Sequence, residues 1–278
     1  MDELNIGEAL KQFQSTMAQT ATDVVRKLSQ SHEEVQQAVA SIQPIAESLT
    51  NYLQQSIGPI FVGFAQAMQE LPERTRRTLA TLAQHGWYVD PEMDLPGISE
   101  LALLFERGEA TAAHDQLAGY FDHQREEILE RLCVAFPCRE KILRSVFKAH
   151  ELGEYELSVP VLLAQADGIC LELTGVQLYS KQSDGKTTRV SEAIATSNAD
   201  SFAVALLHPL TEVFPITFNS RERDGLVDIL NRHAILHGES VSYGNRINSC
   251  KAISLVSFTA WALSDLQKSA NSRSANSP

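Results

Sequence analysis

Apolar residues recur at alternating steps of three and four along the first 58 residues, a spacing that gathers them on one side only if the chain is helical. Ile6, Leu10, Phe13, Met17, Ala21, Val24 and Leu28 mark one stripe, and Val35, Val39, Ile42, Ala46, Leu49 and Leu53 a second. Two helices with a coiled-coil-like seam are implied, interrupted locally at Pro44. Such a seam serves as an intramolecular hairpin or a dimer arm, and docking of a partner chain is its other use. Elsewhere few segments combine β-branched residues with strict alternation. The chain is therefore predicted to be all-α, a helical bundle with an N-terminal helical arm.

Turn residues divide the rest. The stretch His85-Gly86-Trp87-Tyr88-Val89-Asp90-Pro91 is predicted to connect an N-terminal helical region, 1–96, used for assembly or recognition, to a second helical region, 97–268. The Ser, Asn and Ala residues of 269–278 are expected to form a disordered tail. Residues 158–178 are apolar nearly all round and predict a buried central helix, capped by Ser158 with Pro160 in its first turn. Residues 181–186 predict a flexible loop and 220–237 a helix. A last helix over 247–266 carries Ile253, Val256, Ala260 and Leu263 on one side and Cys250, Phe258 and Trp261 on another. Burial on two sides fits a dimer interface or a crowded monomer core.

A formal net charge of -12 over 278 residues leaves no overall basic footprint for holding long nucleic acid. Local candidates are Arg74, Arg76 and Arg77, the run 139–148, and Arg221 with Arg223, although each taken singly is more simply a solvated helix face. Cys133, Cys138, Cys170 and Cys250 form no C-x-x-C pair and predict reduced thiols. The first residues lack the basic and apolar regions of a secretory signal. The apolar run 159–178 is interrupted by Gln165, Asp167 and Glu172. The expectation is a cytoplasmic protein with no membrane span. No Gly-rich phosphate loop, G-x-S-x-G elbow or H-E-x-x-H is present.

The chemistry concentrates in Asn231-Arg232-His233-Ala234-Ile235-Leu236-His237-Gly238. Arginine can carry the charge of a phosphorane-like transition state, and imidazole can move a proton on or off a ribose oxygen. Gly238 reads as a helix stop. On a continuous helix the five positions from Arg232 to His237 turn through about 140°, so the two converge only if the helix ends there or a second copy supplies its own motif.

This stretch resembles the R-x(4–6)-H signature of the HEPN superfamily, all-helical proteins many of which are RNA-cutting toxins or anti-phage effectors. His233 stands at the polar position after the arginine. The resemblance extends over residues 155–266 and implies a homodimer whose paired motifs act on RNA. Arg232 and His237 would be catalytic without any metal or cofactor, His233 would share proton transfer, and Asn231, Asp167 and Tyr243 are supporting candidates. A neutralising or regulatory protein partner is compatible with such an activity.

Arg144 to His150 is a second match, set aside because the first adds His233, Gly238 and an apolar helix downstream. Asp167 either pairs with Arg232, His233 or His237, or meets backbone or water at the polar break beside Gly168. His233 and His237 could also be two zinc ligands, provided Asp167, Glu172 or His208 supplied a third. The reading from another class is a non-catalytic adaptor or antitoxin-like protein in which the motif is core.

Overall fold

The structure is a computed structural model that describes residues 58–195, 201–224 and 229–274 and four helical positions between 15 and 19, with side chains from Glu70 to Ser264 within those spans. The seam expected over 1–58 otherwise lies outside the described residues. The chain divides into two units between Met68 and Gln69, and every core residue described belongs to the second.

The fold is all-α, as the periodicity predicts. Ten helices occur among the described residues: α1 (Gly58–Gln84), α2 (Leu95–Glu106), α3 (Ala110–His123), α4 (Arg125–Ala135), α5 (Glu140–Glu151), α6 (Tyr155–Thr174), α7 (Val190–Ala195), α8 (Ser201–Thr211), α9 (Arg232–Leu236) and α10 (Arg246–Ser274). Short 3-10 turns at Pro137–Arg139 and Pro215–Thr217 link some of them, and pairing is limited to two isolated bridges in the described residues.

Two helices make the centre. α10 lies chiefly along α6 and also touches α3, α4 and α8, while α5 packs on α6 from outside. Every residue from 249 to 260 of α10 is buried, which the chain itself accomplishes. The two-sided apolar pattern is thus answered by a crowded core rather than by a second copy. It also runs further than expected. The helix continues to Ser274, so residues 269–274 are helical, and 275–278 lie outside the described residues.

The central helix begins at Tyr155, earlier than predicted, which puts Ser158 inside the helix, fully buried, and not at its cap. Gly175, at φ 75°, ends it in the left-handed conformation that glycine adopts without steric cost. By length and composition α6 could cross a membrane, yet Val159, Leu162, Leu163, Ala166 and Ile169 are buried inside the fold, which accounts for its apolar character.

The stretch 85–91 is a non-helical connection, as predicted, and it links α1 to α2, but its side chains are core. Trp87, Tyr88 and Val89 are buried. Asp90, 1% exposed, accepts hydrogen bonds from Arg131 (2.6 Å), Ser257 (2.8 Å), Tyr120 (3.3 Å) and the backbone N–H of Glu92 (3.1 Å). Four donors offset the desolvation of this carboxylate and tie α3, α4 and α10 to the end of α1. The loop at 181–186 is closed by Asp184, whose carboxylate accepts from the N–H groups of Lys186 (2.9 Å) and Thr187 (3.1 Å).

Candidate functional site

The motif does not sit at the end of a long helix. Residues 221–224 form a turn, 225–228 lie outside the described residues, and the chain at Asn231 is extended, at φ -127° and ψ 118°. Asn231 then starts a new helix of five residues. Its Oδ1 accepts from the N–H of Ala234 (2.9 Å), and its Nδ2 donates to the carbonyls of Pro215 (2.7 Å) and Phe218 (2.9 Å). Asn231, 2% exposed, is therefore an N-cap and a clamp that fixes where Arg232 begins.

Gly238 stops the helix as predicted, at φ 73°, and the N–H groups of Glu239 (2.8 Å) and Ser240 (3.0 Å) both donate to the carbonyl of Ala234. This turn brings Glu239 back over the helix. Its Oε1 lies 3.4 Å from Nε2 of His233, and its Oε2 accepts from Arg223 at 2.5 Å. The Arg223 hydrogen bond holds the Glu239 carboxyl below the usual range, with smaller contributions from His233 and His237. The rings of His233 and His237, four residues apart, lie 4.3 Å from each other and are open to solvent.

Arg232 takes the other side of the same turn. Its guanidinium lies over the ring of Tyr179, 5.2 Å from the centroid, and Tyr179 is held by a hydrogen bond from its hydroxyl to the carbonyl of Leu163 (3.0 Å). With Asp167, Gly168, Leu171, Gln177 and Leu236, the two residues line a cavity of about 220 Å³. The Nε of Arg232 is buried there with no hydrogen-bond partner among the described residues. Such an orphan donor is costly unless a ligand or water meets it.

The structure thus brings His233 and His237 together, with Glu239, and Arg232 together with Asp167 and Tyr179. No hydrogen bond or ring contact among the described residues joins Arg232 to either histidine. Asp167 shares the Arg232 cavity, but its Oδ1 accepts from the backbone N–H of Leu178 (2.8 Å). The backbone reading of that carboxylate holds. Tyr243 is a tether, its hydroxyl donating to the carbonyl of Glu156 (3.1 Å) and its carbonyl accepting from Asn248 (3.0 Å). No group of three potential metal ligands among the described residues includes His233 or His237.

A second polar cluster was missed in the sequence. His150 of α5, 5% exposed, reaches Asp122 of α3 through Nε2 (2.8 Å) and Ser249 of α10 through Nδ1 (2.8 Å), and Ser249 meets Ser158 of α6 (2.6 Å). Asp122 can only accept, and burial favours a neutral His150. Nε2 must then donate, Nδ1 accepts from Ser249, and Ser249 accepts from Ser158. Cys250 (3.3 Å) and Arg246 (2.5 Å) also donate to Asp122. Burial would raise the Asp122 carboxyl, but the hydrogen bonds from Cys250, His150 and Arg246 outweigh it and hold the group low. Burial, aided by Arg125 and Arg246, lowers His150 against the pull of Asp122. The Arg144 to His150 match was the one sequence signal touching this cluster. Arg144 itself points elsewhere, to Glu130 (2.7 Å) and Glu140 (2.8 Å) at the surface. Serine hydrolysis does not suit this arrangement, because Ser249 and Ser158 are wholly buried.

Comparison with protein-family models, with curated proteins and with solved structures returned no match.

Proposed function

We propose that the chain is a ribonuclease of the HEPN type, in which His233 and His237 exchange protons with RNA and Arg232 binds the phosphate that is attacked. The observation that carries this reading is the solvent-open imidazole pair, centroids 4.3 Å apart, on the same short turn as an arginine that faces its other side and whose buried Nε has no partner among the described residues. One imidazole removes the proton of a ribose 2′-OH, and the other protonates the departing 5′-oxygen. The substrate supplies its own nucleophile, so no metal-activated water is needed, and the product is a 2′,3′-cyclic phosphate. Glu239 positions His233, and Arg232 neutralises charge on the phosphate. The cavity beside Arg232 has room for a group flanking that phosphate.

The dimer belongs to the same proposal. Leu236 and Val241, 39% and 90% exposed, lie in the same segment as the histidines and offer apolar surface that a second copy would cover. A toxin or anti-phage role, restrained by a protein partner, would follow from such an activity. The rival is a non-catalytic adaptor, favoured by the net charge of -12 and by Glu239 already occupying His233 and Arg223.

The deciding assay incubates a labelled RNA, and the same RNA with a 2′-deoxyribose at the cleaved position, with wild type and His237→Ala. The proposal expects cleavage of the all-ribose strand alone and a loss of about 10²-fold or more in the variant. Equal products from both proteins, or none from either, leave the adaptor reading.

A further inference from the structure

We propose that Asp122, His150 and Cys250 bind one zinc ion that ties α3, α5 and α10 together, a site distinct from the histidine pair of α9. Their ligand atoms all lie within 4.8 Å of one another. Two of them converge on a single point, since Nε2 of His150 and Sγ of Cys250 lie 2.8 Å and 3.3 Å from the same Asp122 Oδ1. Tetrahedral zinc, with bonds of about 2.0–2.3 Å, needs such atoms about 3.3–3.8 Å apart. Asp122 would move about 0.5 Å or less from each of the other two ligand atoms, and the His150 to Cys250 separation, within 4.8 Å, would settle into the same range. Imidazole, thiolate and one carboxylate oxygen form a borderline donor set that favours zinc over the hard cations magnesium and calcium.

The surroundings are those of a metal site as well. Ser249, itself held by Ser158, fixes the ring of His150 from the side away from the ion, and Arg246 holds Oδ2 of Asp122 so that Oδ1 turns inward. Ser249 and Ser158 are fully buried, while the Asp122 side chain is 28% exposed, which leaves a path for the ion and a place for water as fourth ligand. Protons balance simply. Cys250 releases its thiol proton to solvent. His150 keeps its single proton but carries it on Nδ1, and the Ser249 hydroxyl turns to accept it. Carboxylate and thiolate then cancel the charge of the ion, and Arg246 stays 43% exposed to water. Without the ion the same groups are joined by hydrogen bonds, so the metal-free chain should remain folded.

The test uses the full chain freed of metal by dialysis against a chelator and then titrated with cobalt(II), which enters zinc sites and reports a thiolate ligand by its near-ultraviolet charge-transfer band. The expected result is saturation at one ion per chain, the band, release of one proton per ion, and displacement by zinc. Cys250→Ser should abolish the band with unchanged helix content, whereas Cys138→Ser, at an exposed thiol, should leave it. Ser249→Ala should weaken zinc binding about tenfold. Absence of saturable binding, binding without proton release, or a band that survives Cys250→Ser would overturn the proposal. If Cys250→Ser fails to fold, the stoichiometry and proton count of the wild-type chain decide alone.

Discussion

The indole N–H of Trp87 donates to Nδ1 of His114 across 2.8 Å, a hydrogen bond that exists only while that nitrogen is unprotonated. Burial first, then Lys251 and His85, push His114 down to about 4. Burial likewise lowers His85, His150 and His208, the last to about 4. In the unfolded chain these imidazoles bind protons near 6.5, so below that value the unfolded state holds more protons than the folded one. Stability should therefore be complete above pH 6.5 and fall progressively toward pH 4. Urea unfolding at pH 7 and pH 5 should show the lower midpoint at pH 5, and His114→Gln should flatten part of that difference. A midpoint independent of pH would contradict the burial of these rings.

Asn231 makes three hydrogen bonds with one side chain, and two of them end on the carbonyls of Pro215 and Phe218, which an alanine at 231 cannot reach. Asn231→Ala removes a cap, about 1 kcal/mol, and strips those two carbonyls of a donor, about 1–3 kcal/mol together. The expected loss is about 3 kcal/mol by urea denaturation, against less than about 0.5 kcal/mol for the solvent-open His233→Ala. Equal effects would mean that α9 is not anchored through its cap.

A methyl group at Gly168 would lie 2.7 Å from Nη1 of Arg139, whose guanidinium donates to Gln165 (3.0 Å) and Glu172 (3.0 Å). Gly168→Ala must push that guanidinium aside, which loses exposed or half-buried hydrogen bonds but gains about 1 kcal/mol of helix propensity. The two nearly cancel. A melting temperature within a few degrees of wild type is expected, and an aggregated or unfolded product would show that Arg139 cannot yield.

Helical periodicity carried the fold class, because burial on one side of a helix leaves a trace at every third or fourth residue. It also carried the two-sided burial around Cys250 and Phe258, while the glycine itself marked the stop at Gly238. Helix continuity was not legible at 220–237, where apolar spacing spans a break. Asn231 is extended, and the cap it builds depends on carbonyls of Pro215 and Phe218 that are distant in sequence. Gly86 and Pro91 marked the connection at 85–91, but nothing in that spacing showed that Trp87 and Tyr88 send their side chains into the core. The His150 cluster was least visible of all. Its partners Asp122 and Ser249 lie 28 and 99 residues away, and no local spacing encodes contacts of that kind.

Arg232 and Arg144 both precede a histidine, and their environments separate them. Arg144 forms two exposed ion pairs, with Glu130 and Glu140, its side chain 45% exposed. Such pairs contribute about 0–1 kcal/mol, so Arg144→Ala should leave RNA cleavage unchanged and cost little stability. Arg232 lies over Tyr179 with its Nε buried beside the cavity. A lysine there keeps the charge but loses the planar donor set, whereas alanine loses both. Arg232→Lys should retain a small part of the cleavage rate and Arg232→Ala essentially none, with helix content preserved in each. Full activity in Arg232→Ala together with loss in Arg144→Ala would move the site to the other match, and the His150 cluster would be the place to look.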